Sequence, residues 1–185
     1  KTVPQHIGVH AHVSLGNGTA LSPDGTQILA SIDGNLRFAN GAFMVEEELV
    51  IRGDVSVSTG NLDFIGNITV HGNVDEGYEL KSKKNIYIKG TVLGAKLYAD
   101  GDITIKQGII NSDIECKGNV KLGFCENTNI NCDNIVESGA FVGGEVFAGK
   151  EILATGSKGV MMGGKYTALE NIEAATIGSE GYMDR

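Results

Sequence analysis

Leu97-Tyr-Ala-Asp-Gly-Asp-Ile-Thr-Ile105 decides the fold, because its pattern returns on both sides of it. The copies before it are Leu62-Asp-Phe-Ile-Gly-Asn-Ile-Thr-Val70 and Leu80-Lys-Ser-Lys-Lys-Asn-Ile-Tyr-Ile88, and Ile114-Glu-Cys-Lys-Gly-Asn-Val-Lys-Leu122 follows. Working outward, the first apolar position is held by Leu62, Leu80, Leu97, Ile114, Ile130, Val146 and Tyr166. Six residues later a core ladder is expected at Ile68, Ile86, Ile103, Val120, Ile135, Ile152 and Ile172, with gaps of 18, 17, 17, 15, 17 and 20 residues. A period this short marks a solenoid, in which each unit buries its apolar face only against its neighbours.

Apolar residues alternate with period two on each side of a Gly-Asn or Gly-Asp turn, so the units are short strands with one face inward. Glycine and asparagine tolerate the tight backbone such a turn needs. The expected fold is all-β: a single-stranded parallel β-helix of about seven coils of roughly 17 residues over residues 53–180. The spacing drifts and the six-residue step is seen once per copy, so a strict hexapeptide left-handed solenoid is set aside and a right-handed one expected. Residues 1–52 read as an N-terminal β-rich cap, with strands near Gln27–Ile32, Asn35–Phe38 and Ala42–Val45, and Leu49–Ile51 leading into the solenoid. Residues 181–185 read as a tail.

The position before each second apolar residue holds Asn67, Asn85, Asp102, Asn119, Asn134, Glu151 and Asn171. Side-chain amides stacked one coil apart can hydrogen-bond along the axis, so Asn67, Asn85, Asp102, Asn119, Asn134 and Asn171 are expected to form a turn ladder. Cys116 and Cys132 occupy one place in successive copies, where Phe64, Ser82, Ala99, Ala148 and Ala168 stand elsewhere. They read as stacked buried thiols. With Cys125 they make three cysteines and no CxxC motif, which suits a reducing, cytoplasmic compartment.

The 185 residues include 27 glycines, two prolines and no tryptophan, in keeping with a narrow aliphatic core and many sharp turns. The formal charge is -8, with both signs interspersed. Nucleic-acid binding calls for a basic stripe; the only local basic cluster is Lys81–Lys84, a solvated turn. No apolar run approaches the roughly 18 residues that span a bilayer, so no membrane insertion is expected, and no signal peptide is recognised. A chain that begins at Lys1 reads as an excised module.

Most candidate chemistry is weak. Gly159-Val-Met-Met-Gly-Gly-Lys165 has the spacing of a phosphate loop, but Tyr166 stands where the magnesium-binding hydroxyl belongs and no helix is expected to follow. His6, His10 and His12 could offer metal ligands, yet no cysteine or carboxylate nearby completes a set, and His71 stands alone. Asp100, Asp102, Asp113 and Glu115 could converge across coils, as carboxylates do in β-helical polysaccharide enzymes, but no arginine or lysine recurs beside them. No catalytic residue, metal or cofactor is expected.

Gly53-Asp-Val-Ser-Val-Ser-Thr-Gly-Asn-Leu-Asp-Phe-Ile-Gly-Asn-Ile-Thr-Val-His-Gly-Asn-Val-Asp-Glu-Gly77 resembles the start of the β-solenoid in the bacterial flagellar assembly protein A family. Ile88–Ala95, Ala99–Gly108, Val160–Lys165 and Ala175–Ser179 extend the resemblance over about residues 20–180. It implies a cytoplasmic bacterial protein with a central β-helix, acting in flagellar assembly or its regulation, and it carries over no catalytic residues. The expectation is a non-enzymatic scaffold with protein partners or self-association. A bactofilin-like self-assembling scaffold and a carbohydrate-active β-helix enzyme are the alternatives.

Overall fold

The computed structural model describes residues 14–156 and 159–178, and the chain divides into two compact units, Lys1–Glu47 and Glu48–Arg185. His6, His10, His12 and the tail 181–185 lie outside the described residues.

In the first unit, Asn35–Ala39 and Ala42–Glu46 form a hairpin closed by Asn40 (φ 54°) and Gly41 (φ 76°). Two consecutive left-handed residues match the twist of the flanking strands, which is why Asn-Gly sits there. Ser14–Leu15 adds a parallel strand to this sheet, and Thr19–Leu21 pairs with Ile28–Ala30 in a second hairpin. The Asp24 carboxylate accepts bonds from the Ser22 and Thr26 hydroxyls and the Thr26 N–H at the turn between them. Those donors favour the ionised form and hold its pKa at about 2.

The second unit is a parallel β-solenoid with three strand-bearing faces. The first face stacks Leu62–Phe64, Glu79–Ser82, Lys96–Ala99, Asp113–Cys116, Asn129–Cys132, Glu145–Ala148 and Lys165–Ala168. Its register aligns Leu62, Leu80, Leu97, Ile114, Ile130, Val146 and Tyr166. The second face begins at Glu48–Ile51 and ends at Asn171–Ala174. Its inward ladder is Leu49, Ile68, Ile86, Ile103, Val120, Val136, Ile152 and Ile172. Eight rungs therefore stand where about seven were expected, because Glu48–Ile51 joins the stack rather than the N-terminal unit.

The register corrects one member of the ladder: Val136, fully buried, pairs with Val120 and Ile152, while Ile135 is half-buried on the corner. With Val136 in place the gaps after Ile68 become 18, 17, 17, 16, 16 and 20, identical to those of the first face. Every coil thus keeps the same six-residue arc between the two faces.

A third ladder was not foreseen. Val55, Val74, Val92, Ile109, Cys125, Phe141, Met161 and Ile177 stack on the remaining face. From Leu62 the inward steps run to Ile68, Val74 and Leu80, six residues each, and later coils shorten some steps to five. The six-residue step is therefore not confined to one arc per coil, as the sequence had suggested. Each fully buried Ile, Leu or Val contributes roughly 1.5–3 kcal/mol relative to exposure, so the stacked rungs are the main source of stability.

The Gly-Asn and Gly-Asp corners have a reason beyond turn conformation. Asn67 Oδ1 accepts from the Asn85 N–H at 3.2 Å, Asn85 Oδ1 from the Asp102 N–H at 2.8 Å, and Asp102 Oδ1 from the Asn119 N–H at 2.7 Å. The Asn85 and Asp102 oxygens lie over Gly101 and Gly118, the glycines that precede the next rung, so a Cβ at either glycine would overlap one of them. Neither glycine has a positive φ. Close approach, not left-handed backbone, requires them. Left-handed residues belong to another corner, where Gly94, Asn111, Asn127 and Gly143 follow one another coil by coil.

Candidate interaction surfaces

Stacking in register turns the outward strand positions into columns, with one residue per coil at about 4.8 Å. The turn ladder is such a column and its polar groups are consumed internally. Asn85 Nδ2 donates to Asn67 Oδ1 at 3.0 Å and Asn119 Nδ2 to Asp102 Oδ1 at 3.1 Å. The ladder stops where Ile135 takes the next place; Asn134 lies one residue off and donates to the Lys117 carbonyl at 3.1 Å. Glu151 and Asn171 meet in register at the far end.

Cys116 and Cys132 are opposite each other, buried and free of disulfide. Each thiol caps a carbonyl of the previous coil, Cys116 to Gly101 O and Cys132 to Gly118 O, both 3.1 Å, as the Ser82 hydroxyl does to Gly66 O at 2.7 Å. The hydrogen bond with Cys132, together with burial, pushes the Cys116 thiol far above its ordinary pKa. Burial pushes Cys125 up to about 12. The hydrogen bond with Cys116 lowers the pKa of the Cys132 thiol, and all three cysteines are buried and free of disulfide.

The four carboxylates do not form one cluster: Asp100 and Glu115 line the same groove, and Asp102 and Asp113 lie outside it. Asp102 belongs to the ladder, and Asp113 accepts from Asn129 Nδ2 at 3.0 Å. Asp100 is paired with Lys117 at 2.7 Å and Lys83 at 3.7 Å across neighbouring coils. The Lys117 ammonium, with Lys83 behind it, holds the Asp100 carboxyl below the usual range. Lysines do flank this carboxylate, contrary to the sequence expectation, because the flanking residues come from other coils. A shallow groove of about 410 Å³ runs here beside Lys81, Tyr98, Glu115 and Asp133. Among the described residues, no group of three or more His, Cys, Asp or Glu side chains is placed to hold a metal.

Gly159–Lys165 is not a phosphate loop. Val160–Met162 is a strand of the third face, Gly163 and Gly164 form the left-handed corner, and Lys165 starts a strand and pairs with Glu145. No helix among the described residues is long and apolar enough to cross a membrane.

Two outward columns stand apart. On the third face Leu93, Ile110, Glu126, Val142 and Met162 align, and Phe124 beside them lies over Gly108, leaving an apolar strip with one carboxylate. At the corner between the second and third faces, Arg52, His71, Lys89 and Lys106 each follow the aligned residues Ile51, Val70, Ile88 and Ile105. The backbone carries the alignment around the corner, with the His71 N–H bonded to Ile51 O and the Lys89 N–H to Val70 O, both 2.9 Å. All four side chains are exposed and form no ion pair with a described residue. This basic stripe escaped the sequence reading because its members lie 17–19 residues apart. Reading every position at the coil period would have found it.

A family model described as the Flagellar Assembly Protein A beta solenoid domain matches residues 47–184. Its start coincides with the first rung at Glu48–Ile51. No curated protein and no solved structure matches the chain. With three quarters of its length inside the matched domain, the chain belongs to the Flagellar Assembly Protein A family through its β-solenoid.

Proposed function

We propose that this chain is a non-enzymatic interaction module: a stiff bacterial cytoplasmic rod that presents columns of side chains to protein partners in flagellar assembly or its regulation. The observation that carries this reading is the internal use of its polar groups. Asp100, Asp102, Asp113, Cys116 and Cys132 all have structural partners, so these five candidate groups are committed to holding coils together. What remains free is surface, arranged in straight lines on a rigid core, and lines of fixed spacing suit recognition of another ordered protein. The family description supports the flagellar context.

The test is to alter the outward columns one face at a time in the flagellated parent organism, keeping only variants whose circular dichroism and melting temperature are unchanged. At least one face should abolish flagellation and partner co-purification. Intact flagellation for all faces, or turnover of an acidic polysaccharide that Asp102→Asn removes, would overturn the reading.

End-to-end assembly is a second reading, because rungs such as Val120, Val136 and Ile152 are added by parallel strand pairing alone. Unpaired strand edges with apolar ladders template further pairing. Size-exclusion chromatography with negative-stain microscopy checks it, and a concentration-independent monomer would rule it out.

A further inference from the structure

Arg52, His71, Lys89 and Lys106 form a single file of exposed basic side chains on a chain whose net charge is -8. Coil spacing of about 4.8 Å makes the file about 14 Å long from first to last. Lys106 Nζ also sits 5.8 Å from the centre of the Tyr87 ring. The column on one side is Gly53, Gly72, Gly90 and Gln107, and the next one out begins Asp54, Asn73, Thr91. On the other side stand Val50, Thr69, Tyr87 and Thr104. Neither flank adds a cation, and the three glycines leave a low shoulder.

We infer that this column receives the acidic stripe of a partner protein's α-helix lying along the rod. The inference rests on the interaction-module reading and names the surface and the chemistry of the partner. Spacing selects the helix: carboxylates at i, i+3, i+7 and i+10 share one face and span about 15 Å at 1.5 Å per residue, close to the length of the file. Same-face residues of an extended strand recur every 6.6–6.8 Å or so and fall out of step with the coils after two rungs. A nucleic-acid duplex offers two rows of phosphates and a lipid surface a broad plane, and both call for cations in several columns. Here there is one.

The experiment uses the whole chain and a labelled, alanine-rich helical peptide of about 20 residues, long enough to be helical alone, carrying glutamates in one stripe. A second peptide of the same composition has its glutamates spread around the helix. Further arms use a single-stranded oligonucleotide and phosphatidylglycerol vesicles as competitors. Anisotropy titrations should show binding of the striped peptide that weakens as salt is raised. The combined Arg52→Ala, Lys89→Ala and Lys106→Ala variant should weaken it about tenfold, three exposed pairs being lost. Lys83→Ala with Lys117→Ala, on a different corner, should leave it unchanged. Equal binding of the two peptides, indifference to the triple substitution, or displacement by the oligonucleotide or the vesicles would each overturn the inference. If the triple variant also retains flagellation while variants of another face lose it, the column is refuted and the interaction-module reading stands. If no face matters, that reading falls with it.

Discussion

Gly118→Ala tests the reason given for the corner glycines, because two accounts of that glycine predict opposite signs. If glycine were there only as a flexible turn residue, alanine would stabilise the protein by about 0.4–1 kcal/mol through the unfolded chain, since its φ is not positive. The close-approach account predicts damage. A Cβ at residue 118 would stand 2.6 Å from both the carbonyl carbon and oxygen of Gly101 and would overlap Asp102 Oδ1. The backbone of Gly101 is fixed by its own ladder bonds, Gly101 N to Lys84 O at 2.8 Å and Gly118 N to Gly101 O at 3.1 Å. Overpacking costs roughly 1–3 kcal/mol, and disturbing the Asn119 N–H bond to Asp102 adds about 1 kcal/mol. The expected loss is about 2–4 kcal/mol, or a melting temperature lower by roughly 4–16 °C for a unit of this size. Gly53→Ala is the matched control, a corner glycine with nothing within 4 Å of the added methyl; it should be neutral or slightly stabilising. Thermal unfolding followed by circular dichroism reads both. A Gly118→Ala variant as stable as the parent, or a Gly53→Ala variant equally damaged, would refute the argument.

The register predicts that Val136→Ala destabilises the solenoid by about 2 kcal/mol, from lost burial and a cavity, while Ile135→Ala costs less than half as much; denaturant unfolding of the pair decides which residue is in the core. All three thiols should resist iodoacetamide in the folded protein and react together on unfolding, because they are buried and the Cys116 and Cys125 thiols are held protonated; mass spectrometry after native labelling checks this. Asp24 has a depressed pKa, so its contribution to the N-terminal unit is complete above its ordinary value of 3.8 and disappears as pH falls through about 2. Asp24→Asn should abolish that pH dependence, as seen by titrating the Thr26 amide resonance.

Much of the fold was legible because the core is written in a local code. Leu97, six residues from Ile103, sits across a single corner from it, and the Gly-Asp between them marks that corner. The third ladder was hidden for the same reason in reverse. Its members Val74, Val92 and Ile109 follow corners of varied composition, and the step after Val120 shrinks from six residues to five at Cys125. Val136 was missed because a ladder asparagine was sought beside its apolar neighbour, and Asn134-Ile135 imitated the motif one residue early. The charged surfaces were illegible to any local search, since Lys117 meets Asp100 and Lys106 follows Lys89 only through stacking.

One deleted residue accounts for where the basic column stops. Between the inward residues Ile105 and Ile109 lie Lys106, Gln107 and Gly108, whereas between Leu122 and Cys125 lie only Gly123 and Phe124. The strands answer with a shift of register between Ile105 and Gly108, leaving Lys106 and Gln107 opposite the single residue Gly123. Shortening the corner pulls the chain against the coil before it, and a Cβ at Gly123 would overlap the Gln107 carbonyl. The next coil is equally short, and there a Cβ at Gly139 would stand 2.5 Å from Gly123 O. Glycine is therefore demanded at the place where a lysine would extend the column, and the Gly139 N–H bonds Gly123 O at 3.1 Å in the tightened corner. Backbone geometry thus separates the four wide corners that carry the outward cations from the two tight corners at Gly123 and Gly139 that cannot, and the corner after them is long again, with six residues between Ala154 and Met161. Restoring a third residue to the Leu122–Cys125 corner, as Lys-Gln in place of Gly123, should lengthen the column by one rung and move the register shift to the Gly139 corner, which nuclear Overhauser contacts across that corner would show.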